Sequence, residues 1–266
     1  MHIHFLDPYR PRVSLIHQLD PRVKLVLAIA FILTASLVPF GAWPIYILLF
    51  ALSMSIVVAS ELGVKYVLKR AALAIPFVLA AVPLLFTITG PALLTIPIGS
   101  AVLTLTSAGL ERFVSIALKS WISVQIAIVL AASTSFPDLL VAMRAIKLPR
   151  LLVAVFGLMW RYLFVMADEV LRLLRARSAR SGELEGYKAG STLAWRAKVT
   201  GGMAGNLFVR SLERGDRIYA AMAARGYDGE VRSLPLPPVA STAWATLFGG
   251  LTLLAALLGL AVLVWR

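Results

Sequence analysis

Residues 242–264 read Thr-Ala-Trp-Ala-Thr-Leu-Phe-Gly-Gly-Leu-Thr-Leu-Leu-Ala-Ala-Leu-Leu-Gly-Leu-Ala-Val-Leu-Val, 23 positions without a charged side chain. A helix needs about 20 apolar residues to cross the hydrocarbon of a bilayer. This stretch therefore places the chain in a membrane and predicts a helix across it.

Four further stretches of the same character lie near 22–39, 42–60, 71–89 and 113–132. They predict an all-α, polytopic membrane protein with about five transmembrane helices. Composition agrees: 60% of the 266 residues are hydrophobic and 15% charged, and the mean hydropathy of +0.87 excludes an ordinary soluble domain. There is no cysteine, which excludes disulfides and thiolate chemistry. The first twenty residues are mixed polar and do not read as a cleaved signal peptide. The first two spans are joined by Pro39-Phe40-Gly41-Ala42-Trp43-Pro44, a tight turn with an aromatic for the interface, so they are expected to form a hairpin.

The net charge of +13, from 26 Lys+Arg against 13 Asp+Glu, is explained by its placement. The N-terminal segment through Lys24, the 61–70 loop and the 133–241 segment hold 23 of the 26 basic residues. The 89–110 stretch, rich in Pro, Gly and Thr, is nearly uncharged and reads as a loop on the other side. The positive-inside tendency then predicts a cytoplasmic (inner) membrane protein with its N terminus inside and, after five crossings, its C terminus at Trp265-Arg266 outside. Topology accounts for the charge without nucleic acid, for which no aromatic-interleaved basic surface or binding module is present.

Three regions follow: 1–132 with four spans, 133–241 as a cytoplasmic segment, and 242–266 with the last span. The middle region opens with Ser135-Phe136-Pro137-Asp138, a helix start, and breaks at Leu148-Pro149. From Arg150 to Arg180, apolar residues recur at three- and four-residue steps. Past Asp168 arginines accumulate, Arg172, Arg175, Arg177 and Arg180, where positive charge suits a helix C-terminus. A second amphipathic helix is predicted from about Gly205 to Arg225, with Phe208, Leu212, Tyr219 and Met222 on one face and Glu213 four residues before Arg217. Packing of this stripe on the other helix is the favoured reading. Gly226 is a natural C-cap, and the alanines before it leave room for another helix to come close.

Each long helix thus ends in Ala-Arg-small: Ala179-Arg180-Ser181 and Ala224-Arg225-Gly226. One such tripeptide usually does no more than satisfy the helix dipole. Two in one basic segment point to docking, because the planar guanidinium reaches far and engages carboxylates or helix-end carbonyls. Arg177, Arg217, Met222 and Tyr227 would support that surface. Asp20-Pro21 reads as a helix cap. Arg112 and Lys119 sit in or near the fourth span, where a charge either works or snorkels. Met1-His2-Ile3-His4 and His17 read as incidental rather than metal-binding.

The run Arg214-Gly-Asp-Arg-Ile-Tyr-Ala-Ala-Met-Ala-Ala-Arg-Gly-Tyr227, with Arg177-Ser-Ala-Arg-Ser181 and the opening Leu19-Asp20-Pro21-Arg22-Val23-Lys24-Leu25, resembles the transmembrane T component of energy-coupling factor (ECF) transporters. The likeness covers essentially the whole chain. It implies a subunit with two coupling helices that sits on two ABC-type ATPases and passes their movement to a separate substrate-binding membrane subunit (S or M). Arg180 and Arg225 would insert into grooves of the two ATPases, with ATP and Mg held there and no cofactor in this chain. Ser181 departs from the glycine of the family pattern, which makes the first site the weaker twin. Asp7-Pro8-Tyr9 resembles the cobalt or nickel branch; a coupling subunit shared among carriers of biotin, riboflavin, thiamine or folate is the alternative.

The residues agree with a non-catalytic role. The chain has no G-x-x-x-x-G-K-S/T sequence to cradle a nucleotide, and the spans bring no nucleophile, acid–base pair or metal set together. A reading from another class also fits the charge: a membrane scaffold or enzyme whose basic segment binds anionic membrane lipids. The acidic residues Glu183, Glu185, Glu213, Asp216, Asp228 and Glu230, spread among the arginines, speak against a purely lipid-binding surface.

Overall fold

A computed structural model describes residues 8–98, 101–180, 192–229 and 238–265, and of 94–98 and 101–103 the backbone alone. The chain forms two compact units: one is built from residues 8–146 and the C-terminal helix, the other from the two long helices between Lys147 and Pro235.

The first unit is a helix bundle with one hairpin. Its elements are α1 (Leu15–Gln18), α2 (Pro21–Leu37), α3 (Trp43–Ala59), α4 (Val64–Ala71), α5 (Ile75–Ala80), α6 (Leu84–Thr87), β1 (Ala92–Ile98), β2 (Ala101–Thr106), α7 (Ser107–Ser133), α8 (Phe136–Ala145) and α11 (Ser241–Trp265). α2 starts where the sequence says it must. The Asp20 carboxylate accepts the Arg22 backbone N–H at 2.9 Å, and Pro21 supplies a preset φ at a position whose N–H has no helical partner. The turn into α3 carries Gly41 at φ +80°, a conformation that costs a side-chain-bearing residue about 1–2 kcal/mol.

Four helical runs are long and apolar enough to cross a membrane: Val64–Thr87, Ser107–Ser133, Arg150–Arg180 and Ser241–Trp265; Trp43–Ala59 is apolar but shorter. The third predicted span therefore begins at Val64, not 71. It is also broken: α4 passes through a 3-10 turn, Ala72–Ala74, into α5 and then α6. Pro76 and Pro83 are the reason, since each lacks the N–H that a continuous helix needs and crowds the preceding turn.

The uncharged stretch after α6 is not a loop. β1 and β2 pair antiparallel, from Ala92 opposite Thr106 to Ile98 opposite Ala101, with an irregularity between Ala92 and Leu94. A hairpin satisfies its own backbone groups over most of its length, which plain loop does not. Thr106 joins hairpin to helix: its hydroxyl donates to the Ile88 carbonyl at 2.8 Å and accepts the Gly109 N–H at 3.1 Å, capping α7.

α7 organises the bundle. At 27 residues it is about 40 Å long, and α2, α3, α4, α5 and α6 all pack on it. Ile45, Tyr46, Leu49 and Ile122 are fully buried where α2, α3, α7 and α11 meet. Between helices in lipid this contact is van der Waals packing rather than escape from water, so close fit decides it. Polar groups fix the register. The Ser53 hydroxyl lies 2.9 Å from Gln125 Oε1 between α3 and α7. Lys119 reaches across to the Ser36 carbonyl near the end of α2 at 2.9 Å and lies over the Phe40 ring, 4.6 Å from its centre. Lys119 is thus a cap for another helix, its charge at the negative end of the dipole. Arg112 shares the same ring at 5.6 Å.

Candidate functional site

The second unit consists of α9 (Arg150–Arg180) and α10 (Leu193–Ala224). α9 has the predicted limits. α10 starts twelve residues before the predicted Gly205: the Thr192 hydroxyl accepts the Trp195 N–H at 3.3 Å, and the helix runs through Gly201, Gly202 and Gly205. Those glycines each cost about 1 kcal/mol relative to alanine, yet the helix runs unbroken from its Thr192 cap through all three.

Two side-chain contacts between described residues join the helices. Arg177 donates to the Thr200 hydroxyl at 3.3 Å, and Arg210 pairs with Glu169, which also faces Arg172 at 3.9 Å. Partners move back along α10, from 210 to 200, as they advance along α9, from 169 to 177, so the helices pass each other antiparallel. Thr200, Glu169 and Arg210 were not singled out in sequence; only an i, i+3 charge spacing at Glu169 and Arg172 hints at one of them. Arg214 brings a buried guanidinium nitrogen, Nη1, that meets no acceptor among the described residues.

The end of α10 is built with care. Arg225 is the C-cap at φ −91°, ψ 7°, and Gly226 follows at φ +80°. The Gly226 N–H donates to the Ala223 carbonyl and the Tyr227 N–H to the Met222 carbonyl, both at 3.0 Å. This is the Schellman arrangement, which turns the chain sharply and occupies orphan carbonyls. Met222 and Tyr227, named as supporting residues, are the two ends of that 6→1 bond and are half-buried. Around Gly226 a side chain would meet nothing within 4 Å, so the space beside it is open.

Among the described residues no carboxylate pairs with Arg225 or Arg180, and both are exposed along with Ala179, Ala224 and Arg217. Arg180 is the last residue of α9; Ser181 lies outside the described residues, as do Asp7 and the Met1–His4 histidines. Arg225 stands fifteen residues past Arg210, so the helix carries it about 22 Å beyond that contact. The apolar stripe differs from expectation. Phe208 is 63% exposed, Leu212 55% and Tyr219 67%, and α10 buries no residue. It does not pack on α9, because the two helices touch through long polar side chains over a short stretch. Among the described residues the unit thus offers two exposed guanidinium groups without a carboxylate partner at helix ends, and an exposed apolar face.

A model of the CbiQ family, described as cobalt transport protein, matches residues 12–235. The chain belongs to this family. It is 31% identical over 185 residues to the cobalt transport protein CbiQ of Rhodobacter capsulatus, covering 70% of this chain and 72% of that one. It is also 26% identical over 256 residues to the energy-coupling factor transporter transmembrane protein EcfT of Ruminiclostridium cellulolyticum, with 93% and 92% covered. EcfT of Staphylococcus aureus is 28% identical over 239 residues, 84% of each chain. The chain is thus a multi-pass transmembrane component of an ECF transporter, and the family match takes in the whole of α9 and α10.

Proposed function

We propose that this chain is the coupling subunit of an ECF importer for cobalt or nickel, using Arg180 and Arg225 to engage two ABC-type ATPases. The observation that carries the proposal is the end of α10: an exposed arginine without a carboxylate partner among the described residues, at the end of a long helix closed by a Schellman turn, with open space beside Gly226. A carboxylate or helix-end carbonyl in a partner groove would bind it by charge-assisted hydrogen bonds. ATP hydrolysis belongs to the ATPases. Their movement reaches a separate substrate-binding membrane subunit through α9 and α10 acting as levers, and the exposed Phe208, Leu212 and Tyr219 face is the surface offered to that subunit. With α9 read as a lever at the membrane face rather than as a crossing, the N terminus is inside the cell and the C terminus outside.

The cobalt or nickel assignment rests on the family match and the N-terminal Asp7-Pro8-Tyr9. The EcfT likeness, which spans more of the chain than the CbiQ relative does, favours a coupling subunit shared among vitamin carriers as the second reading. Purifying the tagged chain from its native membrane and identifying its companions tests both. Two ATPases with a metal-transport membrane subunit support the proposal. Vitamin-binding subunits in their place support the second reading, and absence of any ATPase overturns both.

A further inference from the structure

One cavity in the bundle unit belongs to neither coupling nor docking. It has a volume of about 200 Å³ and lies between α2, α3, α7 and α11. Its lining is aliphatic or aromatic, Phe31, Leu52, Ile126 and Leu254 among it, apart from Gly250 and two polar residues, Lys24 and Ser133. Both polar residues are buried, Lys24 to 8% exposure and Ser133 to 2%. Lys24 Nζ spends two of its donors on the carbonyls of Ser133 at 3.1 Å and His17 at 3.3 Å, which leaves one. The Ser133 hydroxyl meets no partner among the described residues. Leaving a buried hydroxyl unpaired costs about 1–3 kcal/mol, so this end of the cavity suits a polar group that the described residues do not provide.

The layout has a direction. Lys24 stands in the first turn of α2, where the sequence pattern opens an apolar stretch, and the cavity follows α2 from Lys24 to Phe31, about 10 Å along the helix. A cation at headgroup level above an apolar trench fits an amphiphile with an anionic group one chain-length from its tail. Asp20 and Asp138 also face Lys24, and they disfavour a free multivalent anion, which has no apolar burial to offset their repulsion. Leu253, on the cavity wall, is 48% exposed, so this is the side on which we infer the entrance for a lipid. One turn along the same helix, α11 packs tightly on α2, since a Cβ at Gly250 would lie 2.6 Å from Leu27 Cδ2.

We propose that this cavity is a binding site for one membrane glycerophospholipid, its phosphate on Lys24 Nζ and Ser133 Oγ and an acyl chain in the trench. The test uses the full chain, alone and in its purified complex, in liposomes of phosphatidylethanolamine and phosphatidylglycerol doped with a phosphatidylcholine that carries a diazirine on one acyl chain. Expected is photolabelling concentrated on peptides containing Ile126–Leu130 and Leu253–Leu254. Leu253→Trp, which plugs the entrance at an exposed position, should lower it by about tenfold, and Ser133→Ala should lower it severalfold with no loss of thermal stability. Leu263→Trp, on α11 but away from the cavity, should leave it unchanged. Equal labelling of Leu253→Trp and wild type overturns the site. So does labelling that vanishes on complex assembly, which would mean that a partner helix fills the groove.

Discussion

The backbone N–H of Tyr227 donates to the carbonyl of Met222 at 3.0 Å, folding the chain back over Gly226 at φ +80°. Gly226 is therefore needed for its backbone as well as for its size. Gly226→Leu is expected to cost about 1–2 kcal/mol locally, to fray the last turn of α10 and to reduce copurification with the ATPases. Gly226→Asn, which tolerates a left-handed conformation, should retain more of it. Equal complex yield from Gly226→Leu and wild type would count against a close approach at this end.

Arg180→Ala and Arg225→Ala each remove an exposed guanidinium with no carboxylate partner among the described residues, so membrane insertion and melting temperature should not change. Charge-assisted hydrogen bonds contribute about 1.5–3 kcal/mol, which corresponds to roughly tenfold or more in affinity for each ATPase. Binding of the purified ATPases to immobilised variants measures this. The Arg225 variant should show the larger effect.

Gly109 lies under the end of the broken span, where a Cβ would stand 2.8 Å from the Leu85 carbonyl oxygen and 2.9 Å from that of Leu84. Backbone cannot step aside, so Gly109→Ala is expected to destabilise the bundle by about 1–3 kcal/mol. Gly250→Ala meets only the Leu27 side chain, which can rotate, and should cost less. Thermal unfolding in detergent ranks the two, and the reverse order would contradict the packing of α6 on α7.

Lys119→Met should strip the cap from the Ser36 carbonyl and the cation from the Phe40 ring, lowering stability by about 1–3 kcal/mol. Lys119→Arg should recover most of this. Loss of transport in both variants with unchanged melting temperature would instead give Lys119 a functional role.

The Glu169–Arg210 pair joins the two long helices with Arg210 58% exposed. A double-mutant cycle with Glu169→Gln and Arg210→Ala is expected to give a coupling of about 0.2–1 kcal/mol that shrinks in high salt. A coupling of several kcal/mol would mean that the helices depend on this one contact for their crossing.

What was legible in sequence is what neighbours in sequence decide. Asp20 before Pro21, Ser135 before Phe136-Pro137-Asp138 and Gly226 after an alanine-rich turn each act within one helical turn. Their observed roles follow from that short reach: Asp20 caps α2, the Ser135 hydroxyl accepts the Asp138 N–H at 3.3 Å, and Gly226 closes α10. α10 shows the limit: its expected start near Gly205 falls well inside the helix, whose Thr192 cap lies far upstream.

The sequence by itself determined that this is a helical membrane protein of the ECF transporter family, where its apolar stretches lie, and that two arginines stand at helix ends. Hydropathy, capping and motif spacing are local quantities, and each is complete within a few residues. Only the tertiary structure decided that α7 serves as the common packing partner, that Lys119 caps α2, that the apolar face of α10 stays bare, and that Lys24 and Ser133 head one apolar cavity. Those outcomes depend on which surfaces meet across many residues of chain, and in lipid, where all the apolar faces are nearly equivalent, close packing and a few polar contacts make the choice.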